Sequence, residues 1–548
     1  MKNKFIIALF TVALSASYAF SQTNDLSKFF NENAMRANVK FLSDDLLEGR
    51  APGSRGGETA AKYIAAQLEQ FGIKPANNGS YFQQVALVGV KADPQTTLNV
   101  GDAAYKFGDE FVAFTGAQTD NVKINADMIF VGYGIDAPEQ NWNDYKGDAE
   151  KYRGKVLVMM VNDPPATSAE PNLFGGKALT YYGRWTYKYE QAARMGAVGV
   201  ILIHTTESAG YKWQVVQTSN GSWRYDIART SDDKTPFLQM KAWMTDETAH
   251  KIFTQAGKNL DELREKAKSR DFQPIDLGLK ATVNLQSQVK KSDSNNVVGI
   301  FEGSDPTLKN EYVIYSAHWD HLGIGAPNKQ GDTIYNGAVD NATGDASILG
   351  IAEALTKMPA NLRPKRSQVF LFTTAEEQGL LGAEWYAKHP IFPVEKTAAD
   401  VNLDSVNILG RVKNFSALGV ERSSLKSIVE EVAKERGLSL VPDARPEQGS
   451  FYRSDHFPFA RVGVPSLNME AGDDFVGKPE GWGAAQFERY NSTDYHQPSD
   501  EYHDTFDFSG AVQLAEISLA IGLKASNVER LPAFNQTDEF AKAQPNRK

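Results

Sequence analysis

The pattern of apolar and polar positions changes character along the chain. Ala61, Ile64, Ala65, Leu68 and Phe71 recur at the three-to-four spacing of one helix face, and Gly72 follows as a stop. Ahead of them, LEGRAPGSRGG (47–57) reads as a glycine-rich loop, either a linker or a loop packed between helices. From about 95 to 285 the texture turns to short β-rich pieces, such as MIFVGYGI (128–135) and GKVLVMMVND (154–163). Within that region KYEQAARMGAVGVILIH (188–204) reads as helix, glycine turn and buried strand, and KIFTQAGKNLDELREKAKS (251–269) as a charged, solvent-facing helix.

From about 290 strand and helix signals alternate. NNVVGIF, YVIYSAHWD, SQVFLFTTAEE and VNLDSV are strand-like runs, while ASILGIAEAL, GAEWYAKH and SLKSIVEEVAKERG have helical spacing. Apolar strands separated by helices predict an α/β fold, with a mostly parallel or mixed twisted sheet covered by helices on both faces. Residues 95–285 hold no acid–base constellation and read as an inserted, β-rich accessory domain. The main domain is then expected from 22–94 together with 286–531, followed by a loose polar tail at 532–548.

Length supports this division, because 548 residues exceed what one core organises. The net charge of −10 and the lack of any basic run exclude nucleic acid or an anionic membrane surface as the main partner. At the N-terminus, Lys2 and Lys4 precede an apolar run, and Ala19-Phe20-Ser21 offers small residues for cleavage before Gln22. Residues 1–21 therefore read as a signal peptide, with an apolar core too short to span a bilayer. Export to the periplasm or medium of a bacterium is the expectation, with no membrane span in the mature chain. Cysteine is absent, which removes disulfides, thiolate catalysis and cysteine-bound metals.

Candidate chemistry gathers where an open α/β sheet binds ligands, at the carboxyl ends of its strands. YSAHWDH ends in His318, Asp320 and His321; YNGAVDNATG presents Asp340; FTTAEE presents Glu376 and Glu377; VNLDS presents Asp404. Later, STDYHQPSDEYH offers Tyr495, His496 and Asp500. Singly these are ordinary, since an aspartate before a helix is usually an N-cap. Together they would leave unpaired charges in one cleft unless cations lay among them. Two divalent metals meet that need, because carboxylate and imidazole are zinc ligands and one carboxylate can bridge ions roughly 3.5–4 Å apart. The turn after the strand lets both adjacent glutamates reach the site, one to bind metal and one to act as a base.

The ordered set H-x-D, D-N-A-T-G, A-E-E-x-G, N-L-D and Y-H-x-x-x-D, over about 290–510, resembles the co-catalytic zinc exopeptidases, metallopeptidase family twenty-eight. That family includes bacterial leucyl aminopeptidases, aminopeptidase Y and glutamate carboxypeptidase II. VGYGI and AARMGAVGVILIH are similar to parts of the protease-associated domain often inserted in such enzymes. The resemblance implies the zinc exopeptidase fold, two Zn²⁺ ions and a peptide substrate. It makes Asp340 the bridging ligand, with His318 and Asp404 completing one zinc site and Glu377 and His496 the other. It makes Glu376 the general base, Asp320 the carboxylate that orients His318, and Tyr495 the hydrogen-bond donor to the oxyanion.

Aminopeptidase activity is the expectation. A carboxypeptidase of the glutamate carboxypeptidase type is the alternative, with Arg445, Arg453 and Arg461 in the right region; a receptor-like protein without catalysis is a further one. A glutaminyl cyclase fits less well, given the inserted region and the full ligand set. Ser423 and Lys426 match S-x-x-K but have no K-T-G downstream, so a serine hydrolase is set aside. His456 competes with His496 for the last ligand position, while His321 and His503 are expected to be structural or solvent-exposed. With no candidate ligand in 95–285, that region is expected to be dispensable for metal binding and to act on substrate choice.

Overall fold

A computed structural model describes residues 25–147, 149–221 and 223–544. The expected signal peptide, 1–21, lies outside the described residues. Two sheets organise the rest. In the first, four parallel strands lie side by side in the order Ser367–Thr373, Tyr312–His318, Thr397–Leu403 and Ser466–Ala471. Ser294–Phe301 adds antiparallel to one side and Asn414–Leu418 antiparallel to the other. The sheet is therefore mixed, as expected.

Every residue of Ser367–Thr373 and Thr397–Leu403 is buried, which is why neither strand shows the strict apolar–polar alternation of a half-exposed one. Alternate side chains still serve opposite faces. Val313, Tyr315 and Ala317 pack with the helices Glu32–Leu42, Arg55–Gln70, Thr343–Lys357 and Ser509–Asn527, whereas Ile314 packs under Leu381–Lys388 and His456–Arg461. Both faces are thus covered, and only the strand ends are left to bind anything.

The second sheet draws all ten of its strands from between Leu87–Ala92 and Ile275–Lys291, and it has its own core of residues such as Phe130, Val158 and Ile201. The stretch read as one helix over 251–269 forms two, Asp246–Gln255 and Leu260–Ala267. Gly257 takes a left-handed φ of 67° between them and Asn259 caps the second. Ile252, Phe253, Leu260 and Leu263 are buried, so this pair packs instead of facing solvent.

Two further expectations are corrected. The glycine-rich 47–57 segment is only half loop, because the helix Arg55–Gln70 begins inside it, capped by Ser54 accepting from the Gly57 N–H. Gly56 allows this: a Cβ there would fall 1.7 Å from the Leu47 carbonyl oxygen. The tail beyond 532 is not loose over its described part. Phe534 and Phe540 are each 7% exposed, and the Asn535 N–H donates to the Arg422 carbonyl at 2.8 Å. Two aromatic residues in a polar stretch are enough to hold it down.

Gly56→Ala should overpack this contact and destabilise the fold by about 1–3 kcal/mol in denaturant unfolding. A variant as stable as the parent would mean the loop can move aside freely.

Candidate active site

The candidate residues reach one cleft from the ends of several elements. His318 closes the strand Tyr312–His318; Glu376 and Glu377 follow Ser367–Thr373; Asp404 follows Thr397–Leu403; Asp340 comes from the turn Ala338–Ala342. His496 arrives on a late loop. Ala375 and Ser405, which adjoin Glu376 and Asp404, and His496 itself hold left-handed φ values of 57°, 55° and 55°. Such backbone costs roughly 1–3 kcal/mol per non-glycine residue and persists where the surroundings over-determine it.

The side chains form two sets that share one carboxylate. His318 Nε2 lies 3.2 Å from Asp340 Oδ1 and 3.5 Å from Asp404 Oδ1. His496 Nε2 lies 3.4 Å from the other oxygen, Asp340 Oδ2, and 3.0 Å from Glu377 Oε2. Glu376 Oε2 stands farther off, 3.8 Å from His318 Nε2. Tyr495 lines the same cleft and stacks on the His496 ring, centroids 4.0 Å apart.

A surrounding layer of hydrogen bonds holds these positions. Asp500 accepts from the Val339 and Asp340 N–H groups at 2.9 and 3.1 Å and from the Tyr490 hydroxyl at 3.1 Å. Asn341 donates to the Leu403 carbonyl at 3.0 Å and accepts from the Ser405 N–H at 3.1 Å, tying the Asp340 turn to the Asp404 strand end. Asp320 has a double role. Its carboxylate accepts from the Glu376 N–H at 3.0 Å, while its main-chain oxygen meets His318 Nδ1 at 3.1 Å. The carboxylate itself stays 3.9 Å from that nitrogen.

Sequence reasoning missed Arg50. Fully buried, it donates to the carbonyls of Leu42, Trp319, Asn336 and Gly337, clamping the loops that follow His318 and precede Asp340. An arginine in a glycine-rich loop carries no periodic signal that would reveal this. His321, expected to be structural or solvent-exposed, is buried with Nδ1 at 2.8 Å from the Tyr335 carbonyl. A carbonyl only accepts, so Nδ1 carries the proton. Nε2 then faces Glu377 Oε1 at 3.4 Å, beside the second set. His503 is exposed. His456 is buried against Phe451; burial pushes it down to about 3, and it does not join the cluster.

Burial opposes ionisation throughout the cleft. It raises the Glu376 carboxyl well above its usual range and Asp320 and Asp500 each to about 7. For Asp340, contacts with His318 and His496 outweigh burial and hold its carboxyl well below the usual range. For His496, the Glu377 and Asp340 carboxylates outweigh burial and push it up to about 10. His318 Nε2, His321 Nε2 and Glu377 Oε1 are buried without hydrogen-bond partners. Imidazole and carboxylate atoms aimed at each other without donors between them suit divalent cations, and the two sets offer adjoining places with Asp340 between.

A mixed α/β sheet carries paired histidine–carboxylate sets at its strand ends, and the sequence comparison matches that part of the chain to a family domain. Residues 296–521 match peptidase family M28, so the chain carries a peptidase family M28 domain. It is similar to probable leucine aminopeptidase 2 of Aspergillus oryzae, 23% identical over 517 residues that span 91% of this chain and 89% of that protein. It is also similar to aminopeptidase YwaD of Bacillus subtilis, 26% identical over 42% of this chain and 45% of that protein. In fold it is similar to the aminopeptidase from Aneurinibacillus sp. strain AM-1, at a TM-score of 0.53 and 18% identity, covering 91% of this chain and 95% of that one.

A stability prediction follows for protein stripped of metal by a chelator. Asp320 and Asp500 rise from 3.8 to about 7 on folding, and His496 from 6.5 to about 10. The folded state binds these protons more tightly, so the stability they contribute is present at low pH and lost as pH rises through those windows. Glu377, lowered on folding, acts in the opposite sense only below its ordinary 4.5; His456, lowered to about 3, and Lys188, lowered to about 7, also act in the opposite sense below 6.5 and 10.5, but the raised groups outnumber them. The thermal midpoint of the stripped protein should therefore fall from about pH 5 to about pH 9. Restored metal should raise it most at the alkaline end, where fewer protons must be displaced. A midpoint that climbs over this range would contradict the assignment.

Proposed function

We propose that the protein is a zinc aminopeptidase that removes residues from the N-termini of peptides. The observation that carries this reading is the shared carboxylate: Asp340 turns one oxygen toward His318 and the other toward His496. Two zinc ions fit, one held by His318, Asp340 and Asp404, the other by Asp340, Glu377 and His496. When bound, zinc supplies Lewis acidity to the scissile carbonyl and acidifies water.

The chain's own groups do the rest. Glu376 takes the proton from the attacking water and passes it to the leaving amine; its position is set by the Asp320 carboxylate on its N–H. Tyr495 donates a hydrogen bond to the developing oxyanion, and burial keeps its hydroxyl protonated by pushing it well above the usual range. The carboxylates of the cleft favour a cationic α-amine over a blocked one. Residues 95–285 act as a protease-associated type of domain along the cleft, and residues 1–21 direct export. Among the described residues no helix is long and apolar enough to cross a membrane. Recovery of a chain beginning at Gln22 from the medium or periplasm tests export.

N-acetylation of a peptide should abolish cleavage; equal rates on acetylated and free peptides would point instead to the carboxypeptidase alternative. The two glutamates should fail differently. Glu376→Gln keeps zinc, measured by atomic absorption, while kcat falls by roughly 10²–10⁴ with little change in KM. Glu377→Gln loses zinc, and excess metal partly restores activity. The reverse pattern of metal loss would exchange the two roles.

A further inference from the structure

The cleft beside Glu376, Glu377 and His496 is lined from two directions. Tyr495 and Arg453 come from the M28 side, whereas Arg184 and Arg224 come from the part of the chain that builds the second sheet. With Arg461, four arginines thus line a space whose other end is acidic.

Other arginines nearby have partners. Arg461 reaches Glu190 at 3.5 Å and lies against the Tyr181 and Phe457 rings, and Arg445 stacks on Phe487 at 3.3 Å. Arg184, Arg224 and Arg453 differ. Among the described residues none of the three has a carboxylate within 4.0 Å, and the Nε of each is buried without a hydrogen-bond partner. Arg453 spends one donor on the Ala209 carbonyl at 3.0 Å, which fixes it across the cleft. Arg224 lies over the Phe114 ring at 5.3 Å.

Arg184 is the most telling. It immediately precedes the helix Trp185–Arg194. Burial and the like charge of Arg453 both act against its protonation, and only tyrosines offset them. Two guanidiniums that line one cleft, each with a buried Nε lacking a partner and no carboxylate within 4.0 Å, are unfavourable by themselves, and the planar fork of each suits a carboxylate. A carboxylate from the substrate would supply the missing acceptor.

Resting on the aminopeptidase reading, we propose that Arg184 and Arg453 form a carboxylate subsite bridging the two halves of the cleft, so that preferred substrates carry a carboxylate close to the scissile bond. Two sources share this chemistry: an acidic side chain, and the free C-terminus of a short peptide. The subsite selects among substrates and leaves the chemical step to the metal-centre residues.

The test compares kcat/KM of the zinc-loaded protein for Leu-Gly, Leu-Gly amide, Leu-Asp amide and Asp-Gly amide. At least one carboxylate-bearing peptide should exceed Leu-Gly amide by roughly 10–100-fold, the worth of a hydrogen-bonded charge pair. Preference for Leu-Gly identifies the C-terminus as the source, and preference for an aspartyl amide identifies the side chain. In Arg184→Gln, and separately in Arg453→Gln, that ratio should fall toward one, with partial recovery in Arg184→Lys. Two variants guard against Arg453→Gln merely loosening its bond to Ala209. Calorimetry of Leu-Gly and its amide, and of Leu-Asp and Asp-Gly amides, on chelated protein gives a readout without turnover. If no peptide is cleaved yet the Arg184-dependent difference in binding persists, the aminopeptidase reading fails and the subsite stands. A wild-type ratio near one, or a ratio unchanged in both glutamine variants, overturns the subsite.

Discussion

Asp340, Glu377 and Asp404 converge on two imidazoles, with Glu376 alongside, at the edge of a sheet whose strands are otherwise dry. At an effective dielectric of about 20, two like charges about 4 Å apart repel by about 4 kcal/mol, and the cleft brings several such pairs together. The two imidazoles offset this only in part, and His318 Nε2, His321 Nε2 and Glu377 Oε1 are left without hydrogen-bond partners. Cations between the acids are the arrangement that makes the geometry favourable. Much else in the M28 part can be read as the means of holding the acids in place against their repulsion.

That holding is shared among residues that never face the cleft centre. Arg50 clamps carbonyls on both loops beside the site, Asp500 anchors the Asp340 turn by two N–H groups, and Asn341 ties that turn to Ser405. The left-handed backbone at Ala375, Ser405 and His496 belongs to the same account. Each would relax if it were free, and each sits beside or within the histidine–carboxylate cluster. Rigid, fully buried strands supply the anchorage that a surface loop could not.

How far the sequence disclosed this follows from the kind of signal each part emits. The parallel strands were legible because burial on both faces favours a short continuous apolar stretch, as at 369–372 within Ser367–Thr373. The cluster residues were legible because strand ends collect ligands and several histidines and acids fell there at once. Arg50 and the real place of His321 were not, since a buried partner for a carbonyl, or a histidine three residues past another, looks like any surface residue in one dimension. The packed tail and the early start of Arg55–Gln70 were hidden for a related reason. Tertiary contacts made by Phe534 and Gly56 decide them, and local spacing does not register such contacts.

The second sheet bears on the histidine–carboxylate cluster more closely than its lack of candidate ligands suggests. Gln378, next to Glu377, accepts from the Tyr225 N–H at 3.1 Å, and Tyr225 belongs to the strand Arg224–Ile227 of that sheet. Tyr225 also packs in one apolar cluster with Ala375 and Leu381, the residues that bracket the glutamate turn. On the other wall, the Leu179 N–H donates to the Pro446 carbonyl at 2.8 Å, and Gly449 sits where any side chain would strike Leu179. Removing 95–285 would therefore uncover Ala375 and free the turn that aims Glu377, which argues against treating that region as a detachable lid. The same region builds the wall from which Arg184 and Arg224 face the cleft, and it buttresses the turn that carries both glutamates.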